Sequence, residues 1–120
     1  MGKVEAQSID KPDETRTFPN GMVEMITVAG TMVTRTRFEP GWRWSNDVKP
    51  IAKTDKCMFH HQGYCISGSA IIQADDGSET TISSGDAYVI EPGHDGWVTS
   101  DEPWITVDFS QESADYAKPR

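Results

Sequence analysis

The chain has little of several features that mark particular classes of protein. Only two of its 120 residues are cysteines, which excludes a disulfide framework. Lysine and arginine total 11 against 19 aspartates and glutamates, giving a formal net charge of −8. Because so acidic a surface repels phosphate backbones and anionic lipid, we expect neither a nucleic-acid partner nor a membrane partner.

Long apolar runs are also missing. None approaches the ~20 residues that a membrane-spanning helix needs. The N-terminal stretch MGKVEAQSIDKPDETR lacks the apolar segment of a secretory signal peptide. We therefore expect a cytoplasmic protein of one domain, in which both cysteines stay reduced.

What the chain does have is a series of short β-rich runs separated by turn residues. From Met22 onward, about eight such runs follow one another at a spacing of about ten residues, which favours an antiparallel sandwich or barrel. We expect residues 1–20 to be an N-terminal arm, either flexible or an edge segment. Residues 21–112 would form the domain, and residues 113–120 a polar tail. The long loop 41–55 is of the kind that lines or covers a site.

Two stretches resemble the signature of the cupin superfamily. Gly68, in YCISG, is similar to the last glycine of the first cupin stretch, G-x5-H-x-H-x3/4-E-x6-G. The run GDAYVIEPG, residues 85–93, is similar to the start of the second, G-x5-P-x-G-x2-H-x3-N. The resemblance covers about residues 35–110, and FEPGWRWS and PGHDGWV narrow it to a branch of small single-domain cupins. It implies an all-β fold, the double-stranded β-helix (jelly-roll) cupin barrel, and commonly a homodimer.

The usual cupin metal ligands are replaced in this chain. Counting back from Gly68 puts His61 where the family has glutamate, and Asp55 and Cys57 where it has two histidines. In the second stretch, Gly96 stands at the histidine position.

A different set of ligands is nevertheless available. Side chains alternate faces along a strand, so Cys57 and His61 share a side, and His94 lies two residues before Gly96. A thiolate and two imidazoles leave one position open, as in catalytic metal sites, and suit one divalent transition metal: zinc, iron, nickel or copper. Asp55 or Glu91 would be a fourth ligand, a supporting partner or a general base, and these two are the candidate catalytic residues.

Each of the three ligands also has an ordinary structural interpretation. A free cysteine is most often a small buried hydrophobe, as Cys57 would be. His61 would be a core histidine bonded to the backbone. His94 would be a turn residue, because PGHD is good turn chemistry.

Four further residues are candidates for a small-molecule pocket. Trp44 and Trp97 would frame a ligand, with Trp97 directly after the site turn, although tryptophans also plug the ends of small sandwiches. Arg35 and Arg37 share one strand face and would clamp a carboxylate, unless that face is simply exposed to solvent.

The sequence leaves two functions open besides a purely structural dimer, whose interface would be the outer sheet face and the N-terminal arm. The first is a metal-dependent enzyme of the lyase, isomerase or oxygenase class acting on a small organic substrate, as the resemblance implies. The alternative is a non-catalytic small-molecule binding or sensing domain with a degenerate metal site.

Overall fold

Between residues 2 and 118, the range that this computed structural model describes, nine strands form two antiparallel sheets. The strands are β1 (Glu14–Phe18), β2 (Gly21–Val28), β3 (Thr31–Phe38), β4 (His61–Ser67), β5 (Ser69–Ala74), β6 (Glu79–Ser83), β7 (Ala87–Ile90), β8 (His94–Val98) and β9 (Trp104–Asp108). The larger sheet has the order β1-β2-β3-β9-β4-β7, and the smaller has the order β6-β5-β8. Helical structure is limited to α1 (Trp44–Asp47), α2 (Lys49–Ala52) and a 3-10 turn (Gln111–Asp115). The all-β prediction is confirmed.

The inner face of the larger sheet follows from the alternation of β3 and β9. On β3, Thr34, Thr36 and Phe38 are buried. On β9, the buried residues are Trp104 and two residues at the same spacing, Thr106 and Asp108. The register pairs Phe38 with Trp104, Thr36 with Thr106 and Thr34 with Asp108. Two rows of inward side chains therefore lie side by side, and one of them ends in a carboxylate.

A turn over the residues PGHDG would place His94 in the turn, but strand β8 already begins at His94. His94 pairs with Ala74 of β5, and its backbone also bridges to Cys57 on its other side. Because both flanks of His94 are hydrogen-bonded, the backbone is extended there and the turn ends at Gly93. His94 is thus a strand residue with 5% of its surface exposed, and its interpretation as a turn residue is wrong.

Loop 41–55 contains two one-turn helices and packs against the sheets. Trp42 and Trp44 are 3% and 2% exposed, so both indoles belong to the core. The loop is attached to β8 by a bridge between Arg43 and Trp97 and by a hydrogen bond from the backbone N–H of Val98 to the carbonyl of Trp42. This attachment closes one end of the space between the sheets.

Both terminal segments contact the domain. Within the expected arm, β1 is the edge strand of the larger sheet and pairs with β2 along its whole length. Within the expected polar tail, Ser113, Tyr116 and Ala117 are buried, and the Tyr116 ring lies 5.7 Å from that of Phe18. Met1, Pro119 and Arg120 fall outside the described residues. The division of the chain at residues 20 and 112 stays a prediction, but the sequence did not reveal that the last residues pack on the core.

No helix in residues 2–118 is long and apolar enough to cross a membrane. The homodimer implied by the resemblance, the absence of a nucleic-acid partner and the cytoplasmic location stay predictions.

Candidate metal centre and cavity

Cys57 and His94 are brought together by their backbones. Cys57 donates its N–H to the carbonyl of His94 at 2.8 Å, and its own carbonyl accepts from the N–H groups of Gly93 and His94 at 2.8 and 3.2 Å. His61 opens strand β4 a few residues after Cys57. Residues 58–60 lie outside any strand, so a short irregular turn, and not strand alternation, brings His61 back beside Cys57.

The three side chains converge on one point. One ligand atom from each of Cys57, His61 and His94 lies within 4.8 Å of the other two. The Cys57 Sγ and His61 Nε2 atoms are 3.5 Å apart. Ligands at the usual zinc distances around a tetrahedral ion have S and N about 3.5 Å apart, so this pair already has the separation that an ion requires.

The two imidazoles are held by their outer nitrogens. His94 Nδ1 lies 2.8 Å from the carbonyl oxygen of Glu91, which only accepts, so the ring proton is on Nδ1. His61 Nδ1 lies 3.3 Å from Ser113 Oγ and 3.7 Å from Asp108 Oδ2. With both Nδ1 atoms donating to these acceptors, each Nε2 keeps a free lone pair. Metal-binding histidines are oriented in this way, with the second nitrogen bonded to a carboxylate or a carbonyl.

Burial fixes the charge of all three groups. Removal from water, together with the smaller effects of the neighbouring His94 and His60, lowers the pKa of His61 to about 3. Burial also lowers the pKa of His94, against the Glu91 carbonyl and the Asp95 charge, which raise it. For the Cys57 thiol, burial raises the pKa to about 12. At neutral pH the cluster is therefore uncharged, with two imidazoles ready to bind an ion and a thiol that must first lose a proton.

Asp108 is a site residue that the sequence reasoning missed. It is 4% exposed, and its Oδ1 accepts hydrogen bonds from the Ser110 N–H and the Ser113 hydroxyl, both at 2.8 Å. Its Oδ2 accepts from the Tyr88 hydroxyl at 3.4 Å and lies near His61. Burial raises the pKa of this carboxyl, while these hydrogen bonds oppose the shift. The sequence did contain a signal for this residue, because Asp108 lies on the same side of the strand as Trp104 in the alternating run WITVD.

Gly63 makes the contact between Tyr88 and Asp108 possible. A Cβ atom at this position would lie 2.1 Å from the Val107 carbonyl oxygen and 2.9 Å from the Tyr88 hydroxyl. Because no side chain fits there, the tyrosine can cross the strand and reach the carboxylate. The glycine therefore has a specific part in the site.

The cluster forms one wall of an internal cavity. Its volume, over the positions that the centre of a water molecule can take, is about 40 Å³, which is room for about three waters. Six aromatic residues make up most of the wall: Phe38, Trp42, Trp44, Tyr88, Trp104 and Tyr116. The polar part of the wall is smaller and consists of Thr36, His61, His94, Thr106, Asp108 and Ser113. His61 and His94 face the cavity, and Cys57 approaches from behind, where it lines a second, smaller hollow.

Neither carboxylate proposed as catalytic reaches the cluster. The Asp55 side chain is 97% exposed and lies 3.5 Å from the ammonium of Lys49. Glu91 is exposed, and only its backbone carbonyl contacts His94. Since neither lines the cavity, the structure gives no support to an acid, base or ligand role for them.

Of the four proposed pocket residues, only Trp44 lines the cavity. Trp97 faces the other way, because His94 and Gly96 take the inner positions of β8, and the Arg43 guanidinium lies 4.2 Å from the centre of its ring. Arg35 and Arg37 lie on the outer face of β3. Arg35 is paired with Glu24 and Asp10, and Arg37 with Glu39. They cannot clamp a ligand in this cavity.

No family model and no curated protein matches the chain. Solved structures do match. A sugar phosphate isomerase of the cupin superfamily from Silicibacter pomeroyi is 15% identical, with a TM-score of 0.61 over 86% of this chain and 73% of that one. A Klebsiella pneumoniae protein with a double-stranded β-helix domain is 18% identical, with a TM-score of 0.56 over 86% and 80%. The oxalate decarboxylase of Lactobacillus farciminis is 17% identical, with a TM-score of 0.56 over 82% of this chain and 31% of that one. At these identities the likeness shows the fold alone, which is a double-stranded β-helix.

Proposed function

We propose that this cupin-fold chain binds one divalent transition metal through Cys57, His61 and His94, and that it is a metal-dependent enzyme acting on a small organic molecule in the adjoining cavity. The observation that carries the proposal is the orientation of the two imidazoles. Each holds its proton on Nδ1 against an acceptor outside the cluster, so both Nε2 lone pairs are left for a shared ion beside the Cys57 sulfur.

The donor set fits such an ion. One sulfur and two imidazole nitrogens suit zinc, iron, nickel or copper better than magnesium or calcium, which prefer oxygen. Three protein ligands leave a position open, and the two histidines face the cavity from which a substrate would come. When bound, such an ion supplies a Lewis acid that polarises a carbonyl, or a site that activates a bound water.

The protein's own residues have separate tasks in this proposal. Ser113 Oγ accepts the Nδ1 proton of His61 and donates its own proton to Asp108, so this pair fixes the orientation of the ring. The aromatic wall excludes water and provides apolar contact for the substrate. An isomerase or lyase reaction agrees with the names of two of the similar structures, and an oxygenase would use the same open position.

The proposal is tested by metal analysis of protein made without an affinity tag and loaded with Zn²⁺, Fe²⁺, Ni²⁺ or Cu²⁺ in turn. We expect about one equivalent of at least one ion after desalting. His94→Gln should remove it, because the ligand is lost. His60→Gln is the matched control, since His60 contacts Ser110 and lies outside the cluster. Less than about a tenth of an equivalent for every ion, or equal losses in the two variants, would end the metal proposal.

A non-catalytic binding domain is the second candidate, and the cavity itself favours it. The aromatic wall is formed by core residues and does not depend on a bound ion. In that case a small ligand would raise the melting temperature in the presence of a chelator, by preferential binding to the native state.

A further inference from the structure

A third and larger hollow lies beside the cavity on the solvent side. It has a volume of about 500 Å³ and lies between the smaller sheet and the loops at the ends of β7. Four residues line both spaces: Ile72, Tyr88, Ile90 and His94. Because the two spaces are adjacent and His94 of the cluster lines both, we take this hollow as the mouth through which a molecule would reach the cluster.

The mouth carries negative charge. Asp75, Asp86 and Glu91 line it and are exposed, and Asp108 lies at the inner end. Of the residues described as lining the mouth or the cavity, none is lysine or arginine. Clefts lined by charge of one sign concentrate the field and repel ligands of the same sign. A divalent ion bound by one thiolate would give the centre a net charge of +1. The four carboxylates together carry more negative charge than this.

The interior selects for a small and mostly apolar molecule. About 40 Å³ accommodates a molecule of a few heavy atoms, and its surroundings are mainly aromatic rings. Two residues of the wall carry an indole N–H that lacks a partner: Trp42 and Trp104, each 3% exposed, have no acceptor for it among the described residues. A buried donor left unpaired costs about 1–3 kcal/mol, which an acceptor on a ligand would recover.

From these observations we infer that the cavity takes a small uncharged molecule bearing a hydrogen-bond acceptor such as a carbonyl oxygen, and that it rejects carboxylates and phosphate esters. This inference rests on the proposed function for its site. It departs from the substrates implied by the names of two similar structures, because oxalate and sugar phosphates are anions. A cation would pass the mouth but would then meet the positively charged metal centre.

The test uses three molecules of the same shape and different charge: acetamide, acetate and acetamidinium, each of four heavy atoms. They are titrated into the metal-loaded and the metal-free protein while the indole N–H resonances are followed by NMR. Trp42, Trp44 and Trp104 report on the cavity, and the outward Trp97 is the reference. We expect acetamide to shift the cavity resonances with a Kd at least tenfold lower than that of either ion.

A pair of variants tests the role of the mouth. Asp75→Asn with Glu91→Gln removes two carboxylates from it, and should tighten acetate binding about two- to fivefold at low salt. Asp101→Asn with Glu102→Gln removes two exposed carboxylates elsewhere and should leave acetate binding unchanged.

Each outcome is decisive. Acetate or acetamidinium binding as tightly as acetamide would overturn the inference, as would the absence of any acetamide shift in the cavity. Equal gains in the two double variants would overturn the assignment of the mouth. If no ion binds, the proposed metal function fails, yet the comparison of acetamide with acetate on metal-free protein still decides whether the cavity rejects anions, since that rejection depends on the carboxylates and not on the ion.

Discussion

The pH dependence of metal affinity follows from the charge state of the cluster. Burial raises the pKa of the Cys57 thiol to about 12 and lowers that of His61 to about 3, and it also lowers that of His94. Between pH 6.5 and 8.5 the free protein therefore holds one exchangeable proton at the site, on sulfur. Binding as thiolate releases that proton, so affinity must rise with pH.

The magnitude follows from that single proton. The apparent Kd should fall about tenfold per pH unit, or about 1.36 kcal/mol, and about a hundredfold across the two units. The assay is competition against a chelator of known affinity at each pH. Calorimetry in buffers of different ionisation enthalpy should count one proton released per ion.

Cys57→Ser is the control. A serine hydroxyl stays protonated, so the metal affinity of this variant should not change with pH. A flat profile for the native chain would refute the reasoning by showing that the thiol is not a ligand or is already ionised. A slope near two would show that a histidine carries a proton in the free protein.

Three further predictions concern the residues around the cluster. Asp108→Asn should weaken metal binding about 10–100-fold in the chelator competition, because Ser113, which accepts the Nδ1 proton of His61, loses the carboxylate that orients it. Asp101→Asn is the charge-matched control, and an equal loss there would contradict the prediction. Because the pKa of His61 falls from 6.5 to about 3, the unfolded chain binds more protons between these values and stability is lost as the pH drops below about 6.5. The loss is at most about 5 kcal/mol and is partly offset by Asp108, whose raised pKa has the opposite sign; urea unfolding at pH 7 and 4.5 should show it, and His61→Gln should flatten the profile. Tyr116→Ala should lower the free energy of unfolding in urea by about 3–5 kcal/mol, because Tyr116 is buried. Tyr64→Ala, at a residue that is 47% exposed, should lower it by less than about 1 kcal/mol. Equal losses would show that the C-terminal segment is not part of the core.

The sequence predicted the fold class and brought the three candidate ligands together, although part of the reasoning was wrong. Strand parity does not connect Cys57 to His61, since the residues between them are not in a strand. What places Cys57 is its backbone bridge to His94, a contact between residues far apart in sequence. No local pattern predicts such a bridge.

The errors around the site have one physical source, which is the register of strands whose ends were misplaced. With β8 starting at His94, parity alone puts Trp97 on the outer face. The sequence predicted that Arg35 and Arg37 share one face of their strand. It did not predict that this is the outer face, which follows from the burial of the alternate residues Thr36 and Phe38. A shift of one residue moves a side chain to the opposite face, so small errors at strand ends become large errors in a site.

The polar groups inside this small core bear on the proposed metal site. Buried polar groups are normally paired, and the outer part of this network obeys the rule: Asp108 accepts from Ser110, Ser113 and Tyr88. The inner part has fewer donors than acceptors. The Cys57 thiol can donate to only one acceptor, and His61 Nε2 lies 3.5 Å from it. The second imidazole, whose proton is on its outer nitrogen, then presents a lone pair to the same point with no donor left among the three ligands. An ion shared by the sulfur and both nitrogens satisfies every one of these lone pairs at once, which a packed hydrophobic core would have no reason to require.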